Sequence, residues 1–146
     1  MSAGLKANAD GSAAIQVGGS DAITITSGLG VLAVAPTGLG YGTGAGGTVT
    51  QLTSKSTTVT LHKPIGQIIT AADALAAGAV VNFSVLNVLV QATDVIIVTN
   101  NKNSNYRVQI VTTAAGSFTV SLKNEFSGSL SEAVTINFAV IKGVTS

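Results

Sequence analysis

The sequence predicts an all-β protein: an antiparallel two-layer β-sandwich, jelly-roll-like, preceded by a glycine-rich extended N-terminal arm. Period-two alternation in the last third of the chain is the first observation behind this. Tyr106, Val108 and Ile110 fall on one face, with Arg107 and Gln109 on the other. Phe118, Val120 and Leu122 alternate with Thr119, Ser121 and Lys123, and Val134, Ile136, Phe138 and Val140 with Thr135, Asn137 and Ala139. Such alternation puts one face of a pleated strand in a core and the other towards water. The second observation is the scarcity of helical pattern: Ala71 to Ala77 is the only helix-like stretch. The third is spacing, with about seven or eight strand candidates between residue 48 and the C-terminus, as in sandwiches and jelly rolls.

Residues 1–47 form the arm. Twelve of the 17 glycines lie here, with only three charged residues, Lys6, Asp10 and Asp21. The runs Ala14–Val17 and Ala22–Thr26 flank Gly18-Gly19-Ser20-Asp21, a hairpin signal. A third apolar run, Val31 to Val34, ends at Pro36. Gly38 to Gly47 then carries almost no side-chain volume, and ordering so many glycines costs backbone entropy. One or two short strands are expected, ordered mainly by contact with something else.

Residues 48–146 form the sandwich domain. Thr48–Leu52 and Thr57–His62 are strand candidates rich in β-branched residues. Lys63-Pro64-Ile65-Gly66 reads as a turn, with Gln67–Thr70 returning. Ala71–Ala77 is expected to form one or two helical turns, capped by Thr70 and ended by Gly78. Ala79–Asn87 is a strand. Val95-Ile96-Ile97-Val98 is apolar on both faces, which predicts a central strand. Asn100–Asn105 is a polar loop. The last three strands form a meander, turning at Ala114-Ala115-Gly116 and Ser127-Gly128-Ser129, where glycine reaches positive φ without steric cost. The expected core is Val59, Leu61, Ile68, Val81, Phe83, Val95, Ile97, Val108, Ile110, Phe118, Val120, Leu122, Ile136 and Phe138.

Composition narrows the function classes. Only 9% of residues are charged and mean hydropathy is +0.54, against about 25% charged in an ordinary soluble domain. A small monomer has too few Lys and Glu here to cover its surface. Either much of that surface is buried against other subunits, or Thr, Ser, Asn and Gln solvate it; a substantial subunit interface is expected. The apolar runs are too short for a spanning helix of about 20 residues, and an outer-membrane barrel would need more strands with apolar outer faces. No membrane partner is expected. With net charge +1 and scattered basic residues, there is no footprint for nucleic acid. Cysteine is absent, which excludes disulfides and thiolate metal sites. The N-terminus does not read as a signal peptide, so synthesis in the cytoplasm is expected.

No residue set carries chemistry, and no catalytic, cofactor-binding or metal-ligating residue is predicted. His62 is the only histidine and has no cysteine to share a zinc site with. The acids Asp10, Asp21, Asp73, Asp94, Glu125 and Glu132 form no paired motif of the kind glycosidases or calcium sites need. Gly38–Gly47 lacks the Lys-Ser/Thr of a phosphate loop and the helix that should follow it. Serine and threonine nucleophiles have no partnered base. Asn100–Asn105 beside Tyr106 offers sugar-binding groups, but asparagine equally forms turns.

Several stretches carry a resemblance. Tyr41-Gly-Thr-Gly-Ala-Gly-Gly-Thr-Val-Thr-Gln51, Thr53-Ser-Lys-Ser-Thr57, Leu61-His-Lys-Pro64 and Gly66-Gln-Ile68 resemble a module common in virion proteins of tailed bacteriophages. Gly128-Ser-Leu-Ser-Glu-Ala133 and Ile136-Asn-Phe-Ala-Val-Ile-Lys142 match it as well. Asn8-Ala-Asp-Gly-Ser-Ala-Ala-Ile-Gln-Val17 is similar to a lead-in of fibre-like phage proteins. His62 stands where members usually have Asn before Lys-Pro. The family includes head decoration (cement) proteins, head fibres and tail-fibre domains, and brings no catalytic residue. The resemblance therefore implies a non-enzymatic structural protein, made in the host cytoplasm. It is expected on the outer surface of the virion capsid, bridging major capsid protein subunits as a homodimer or homotrimer, with residues 1–30 along the shell. The alternative it implies is a head- or tail-fibre or receptor-binding module, with Asn100–Asn105 contacting host glycans.

Overall fold

The computed structural model describes residues 3–7, 9, 13–17, 20–26, 30–33, 41, 44–101 and 104–143. The chain divides into two compact units, Met1–Gly40 and Tyr41–Ser146.

In the first unit, β1 (Ala3–Ala7), β2 (Ala13–Val17), β3 (Ser20–Thr26) and β4 (Gly30–Ala33) form one antiparallel sheet in chain order. One or two short strands were expected here and four are present. The expected hairpin runs do pair, with Ile15 opposite Ile23; Gly18 and Gly19 of its turn lie outside the described residues. Short apolar runs between glycines suffice for a strand once neighbouring strands supply the ladder bonds.

The second unit is all-β, with two packed sheets. Its strands are β5 (Thr48–Thr50), β6 (Val59–Thr60), β7 (Ile65–Ile69), β8 (Val80–Leu86), β9 (Val95–Asn100), β10 (Tyr106–Ala114), β11 (Ser117–Asn124) and β12 (Thr135–Ile141). One sheet has the order β10-β11-β8-β6 and the other β5-β7-β12-β9. The central ladders are antiparallel, while β5 on β7 and β6 on β8 are parallel. Between the sheets lies an aliphatic core holding Ile68, Val85, Val120, Leu122 and Ile136. Phe118 and Phe138 meet at its centre, with ring centroids 5.3 Å apart and planes tilted by 55°.

Four expectations are corrected. No helix forms over Ala71–Ala77. Lys55 Nζ donates to the carbonyls of Ala71 (2.8 Å) and Asp73 (2.5 Å), and Asn124 Nδ2 to those of Leu75 (2.9 Å) and Ala76 (3.2 Å). A helix would need those carbonyls for its own ladder. Leu75 instead pairs with Leu130 across the unit. Second, the closing meander is broken. β10 and β11 form the expected hairpin, turning at Gly116 (φ 81°), but β12 belongs to the opposite sheet. Residues 125–134 cross over because the Leu75–Leu130 bridge carries the chain to the other layer.

Third, β9 is an edge strand rather than a central one, and its faces are reversed. Ile96 is buried, whereas Val95 and Ile97 are 56% and 48% exposed. Four consecutive apolar residues leave the parity open; pairing Ile97 with Ala139 and Val95 with Ile141 settles it. Fourth, Ile65 and Gly66 belong to β7 rather than to a turn. Gly66 faces inward, and a Cβ there would lie 2.7 Å from Leu61 Cδ2 and 2.9 Å from both the Gly47 oxygen and Phe138 Cε1. Only glycine admits so close an approach of the 46–47 backbone.

The remaining expected core residues are buried or pack on the core, and Tyr106, Val90, Val134 and Val140 join them. The Tyr106 hydroxyl is buried and has no hydrogen-bond partner among the described residues. Burial, with contributions from the Glu132 and Asp73 carboxylates, raises its pKa above the ordinary phenol value. An unpaired buried hydroxyl carries its desolvation cost with no return. Tyr106→Phe is therefore expected to leave thermal stability unchanged or raise it by up to about 1 kcal/mol. A loss of that size in a urea titration would show that the hydroxyl is hydrogen-bonded.

Candidate functional site: an uncharged outer sheet face

Most of the candidate chemical residues prove to fasten loops. His62 Nδ1 accepts the Val88 amide at 3.2 Å on the surface. Glu125 sits between Arg107 (2.9 Å) and Lys123 (3.1 Å), exposed pairs of small energetic weight. Asp10 lies outside the described residues; Asp21 is in β3 and Glu132 on the exposed crossover. Among the described residues no three His, Cys, Asp or Glu side chains gather as a metal site would require. Of the Asn loop, Lys102 and Asn103 lie outside the described residues. Asn100 Nδ2 donates to the Tyr106 carbonyl, and the Asn105 carbonyl accepts the Glu125 amide at 2.7 Å.

Asp94 clasps the C-terminal segment. Its buried carboxylate accepts the Gln91 amide (2.8 Å), the Gly143 amide (3.1 Å) and Lys142 Nζ (2.5 Å). The Lys142 hydrogen bond, chiefly, holds its pKa below 3.8, assisted by the two amides and against the cost of burial. The unfolded chain then binds more protons than the folded one between that lowered value and 3.8. This contribution is complete above 3.8 and is lost as pH falls through the folded pKa. Asp94→Asn should be less stable than the parent at neutral pH, with the difference shrinking in acid. Urea midpoints across the acid range measure this; a constant difference would contradict the assignment.

The distinctive surface lies elsewhere. Along the outer face of β5-β7-β12-β9, the ladders align Ile65, Ala139 and Ile97 in one row and Gln67, Asn137 and Thr99 in the next. Ile141 and Val95 continue the apolar row. An open groove of about 620 Å³ lies over this face, and none of its lining residues is charged. Gly46 and Gly47 run along its β5–β7 border, with Gly66 and the buried Phe138 beneath it. Tyr41, 47% exposed, stands at its rim with its hydroxyl donating to the Val140 carbonyl.

The opposite outer face differs. There Gln109, Ser121 and Asn82 align, as do Thr112, Thr119 and Ser84, with Arg107 and Lys123 beside them. Arg107 and Lys123 give that face charge that the groove lacks, although Val80 and Leu86 are about half exposed on it and Ser121 is buried. The sequence did not single out the groove, because Gly44–Gly47 read as linker and Ile97 as core.

No protein-family model, curated protein or solved structure matches the chain.

Proposed function

We propose that this chain is a tailed-bacteriophage capsid decoration protein, made in the host cytoplasm and attached to the outer surface of the head, where it bridges major capsid protein subunits in several copies. The observation that carries the proposal is the uncharged outer face of the β5-β7-β12-β9 sheet, with Val95, Ile97 and Ile141 each about half exposed. Removing such surface from water favours association by about 25 cal/mol per Å². The stretches resembling phage virion proteins and the charged fraction of 9% support the same reading. Attachment acts by mass action: a protein that binds only the assembled shell stabilises it by RT ln(1 + [L]/Kd).

Add-back of purified protein to heads lacking it provides the test. Saturable binding and a higher temperature of head disruption are expected. Ile141→Lys should weaken binding by placing a charge on the apolar row. Heads that take up no protein would overturn the proposal, and adsorption to host cells blocked by the free protein would favour a fibre role.

A further inference from the structure

The two ends of the sandwich differ in charge. At one end, Ile141 of β12 lies opposite Val95 of β9, and the loop from Leu86 to Val95 joins the two sheets. Asp73, Glu125 and Glu132 all lie on loops at the other end. Among the described residues of the first end the one carboxylate is that of Asp94, whose side chain is 0% exposed. The charge this end presents to water is therefore that of Lys63 and Lys142.

The loop there holds two apolar side chains out in water. Val88 and Leu89 are 64% and 44% exposed, between Asn87 and Val90, which are both 0% exposed. Its backbone is tethered on every side. The Asn87 amide donates to the Gly116 carbonyl (2.8 Å), its Nδ2 donates to the Lys63 carbonyl (2.7 Å), and its Oδ1 accepts the Leu89 amide (3.1 Å). His62 Nδ1 accepts the Val88 amide, Lys142 Nζ donates to the Leu89 carbonyl at 2.8 Å, and the Gly116 amide donates to the Val90 carbonyl at 2.9 Å. An apolar projection fixed in this way enters a pocket at little ordering cost.

We infer that Val88 and Leu89 anchor the protein in an apolar pocket, rimmed by carboxylates, on the major capsid protein. This rests on the proposed shell attachment. The tip is continuous with the proposed attachment face: Lys142, which holds Leu89, follows Ile141 of the apolar row. A partner covering that row reaches Leu89 next. Lys63 and Lys142 flank the tip, so the complementary rim is acidic. A lipid surface fits less well. Lys142 already holds Asp94, and residues 86–91 include no aromatic ring of the kind that seats at a bilayer interface.

Titration of purified heads lacking the protein, read by co-sedimentation, tests the anchor. Leu89→Ser should weaken binding roughly thirtyfold, as loss of a central anchor does, while keeping the parent circular dichroism spectrum and melting temperature. Val80→Ser, at an apolar position 55% exposed near the other end, should bind as the parent does. Lys63→Glu should weaken binding more at low salt than at high salt. Heads that bind Leu89→Ser as tightly as the parent, but not Ile141→Lys, would overturn the anchor and leave shell attachment standing. A loss in Lys63→Glu that ignores salt would overturn the acidic rim. Heads that take up no parent protein would overturn both attachment and anchor. Parent protein that instead pellets with phosphatidylglycerol vesicles, and no longer does so as Leu89→Ser, would identify a lipid and overturn the protein pocket.

Discussion

Phe138→Ala should destabilise the sandwich by about 3–5 kcal/mol, the range for truncating a fully buried phenylalanine. Phe138 is 2% exposed, meets the Phe118 ring, and has its edge against the space left by Gly66. Truncation removes ring contacts from both sheets together, and collapse around the site would require β7 and β12 to shift against each other. At about 4 °C per kcal/mol for a domain of this size, melting should fall by roughly 12–20 °C. Calorimetry measures this directly. A fall of only a degree or two would mean that the two sheets do not close over this ring.

Lys55 is expected to show the second large effect. It is 1% exposed although charged, and it lies in the polar run Thr53-Ser-Lys-Ser-Thr57. Its Nζ donates to two backbone carbonyls and lies 3.5 Å from the half-exposed Asp73 carboxylate. Its own amide donates to that carboxylate at 2.9 Å. Gln51, also buried, donates to the carbonyls of Lys55 and Thr57 and accepts the Ala71 amide. Lys55→Met keeps the stem volume but leaves two acceptors unpaired, at about 1–3 kcal/mol each. A total loss of about 3 kcal/mol is expected in urea titration, since Asp73 retains solvent and part of the cost is screened. Neutral behaviour would show that water replaces the ammonium.

These two residues also mark where sequence could be read and where it could not. Phe138, Phe118 and their alternating neighbours were legible because period two commits a strand's faces locally. β9 was legible as a strand but not as an edge, because four apolar residues in a row carry no parity. Ala71–Ala77 looked helical because alanine favours helix intrinsically. The groups that overrule it, Lys55 and Asn124, lie 16 to 49 positions away. Ser127-Gly128-Ser129 announced a change of direction without saying which sheet receives the chain. The groove was illegible for a related reason: it is made by the approach of Gly46 and Gly47 to β7, a long-range contact that glycine permits without announcing it.

The uncharged outer face of the β5-β7-β12-β9 sheet carries the proposed attachment. Electron cryo-microscopy of purified virions tests that most directly. The account predicts density for the sandwich at repeated positions over the whole outer surface of the head, with the β5-β7-β12-β9 side turned to a protein neighbour. Density confined to the tail tip or to a few vertices, or a sandwich touching the shell through its Gln109–Ser121–Asn82 face, would contradict it.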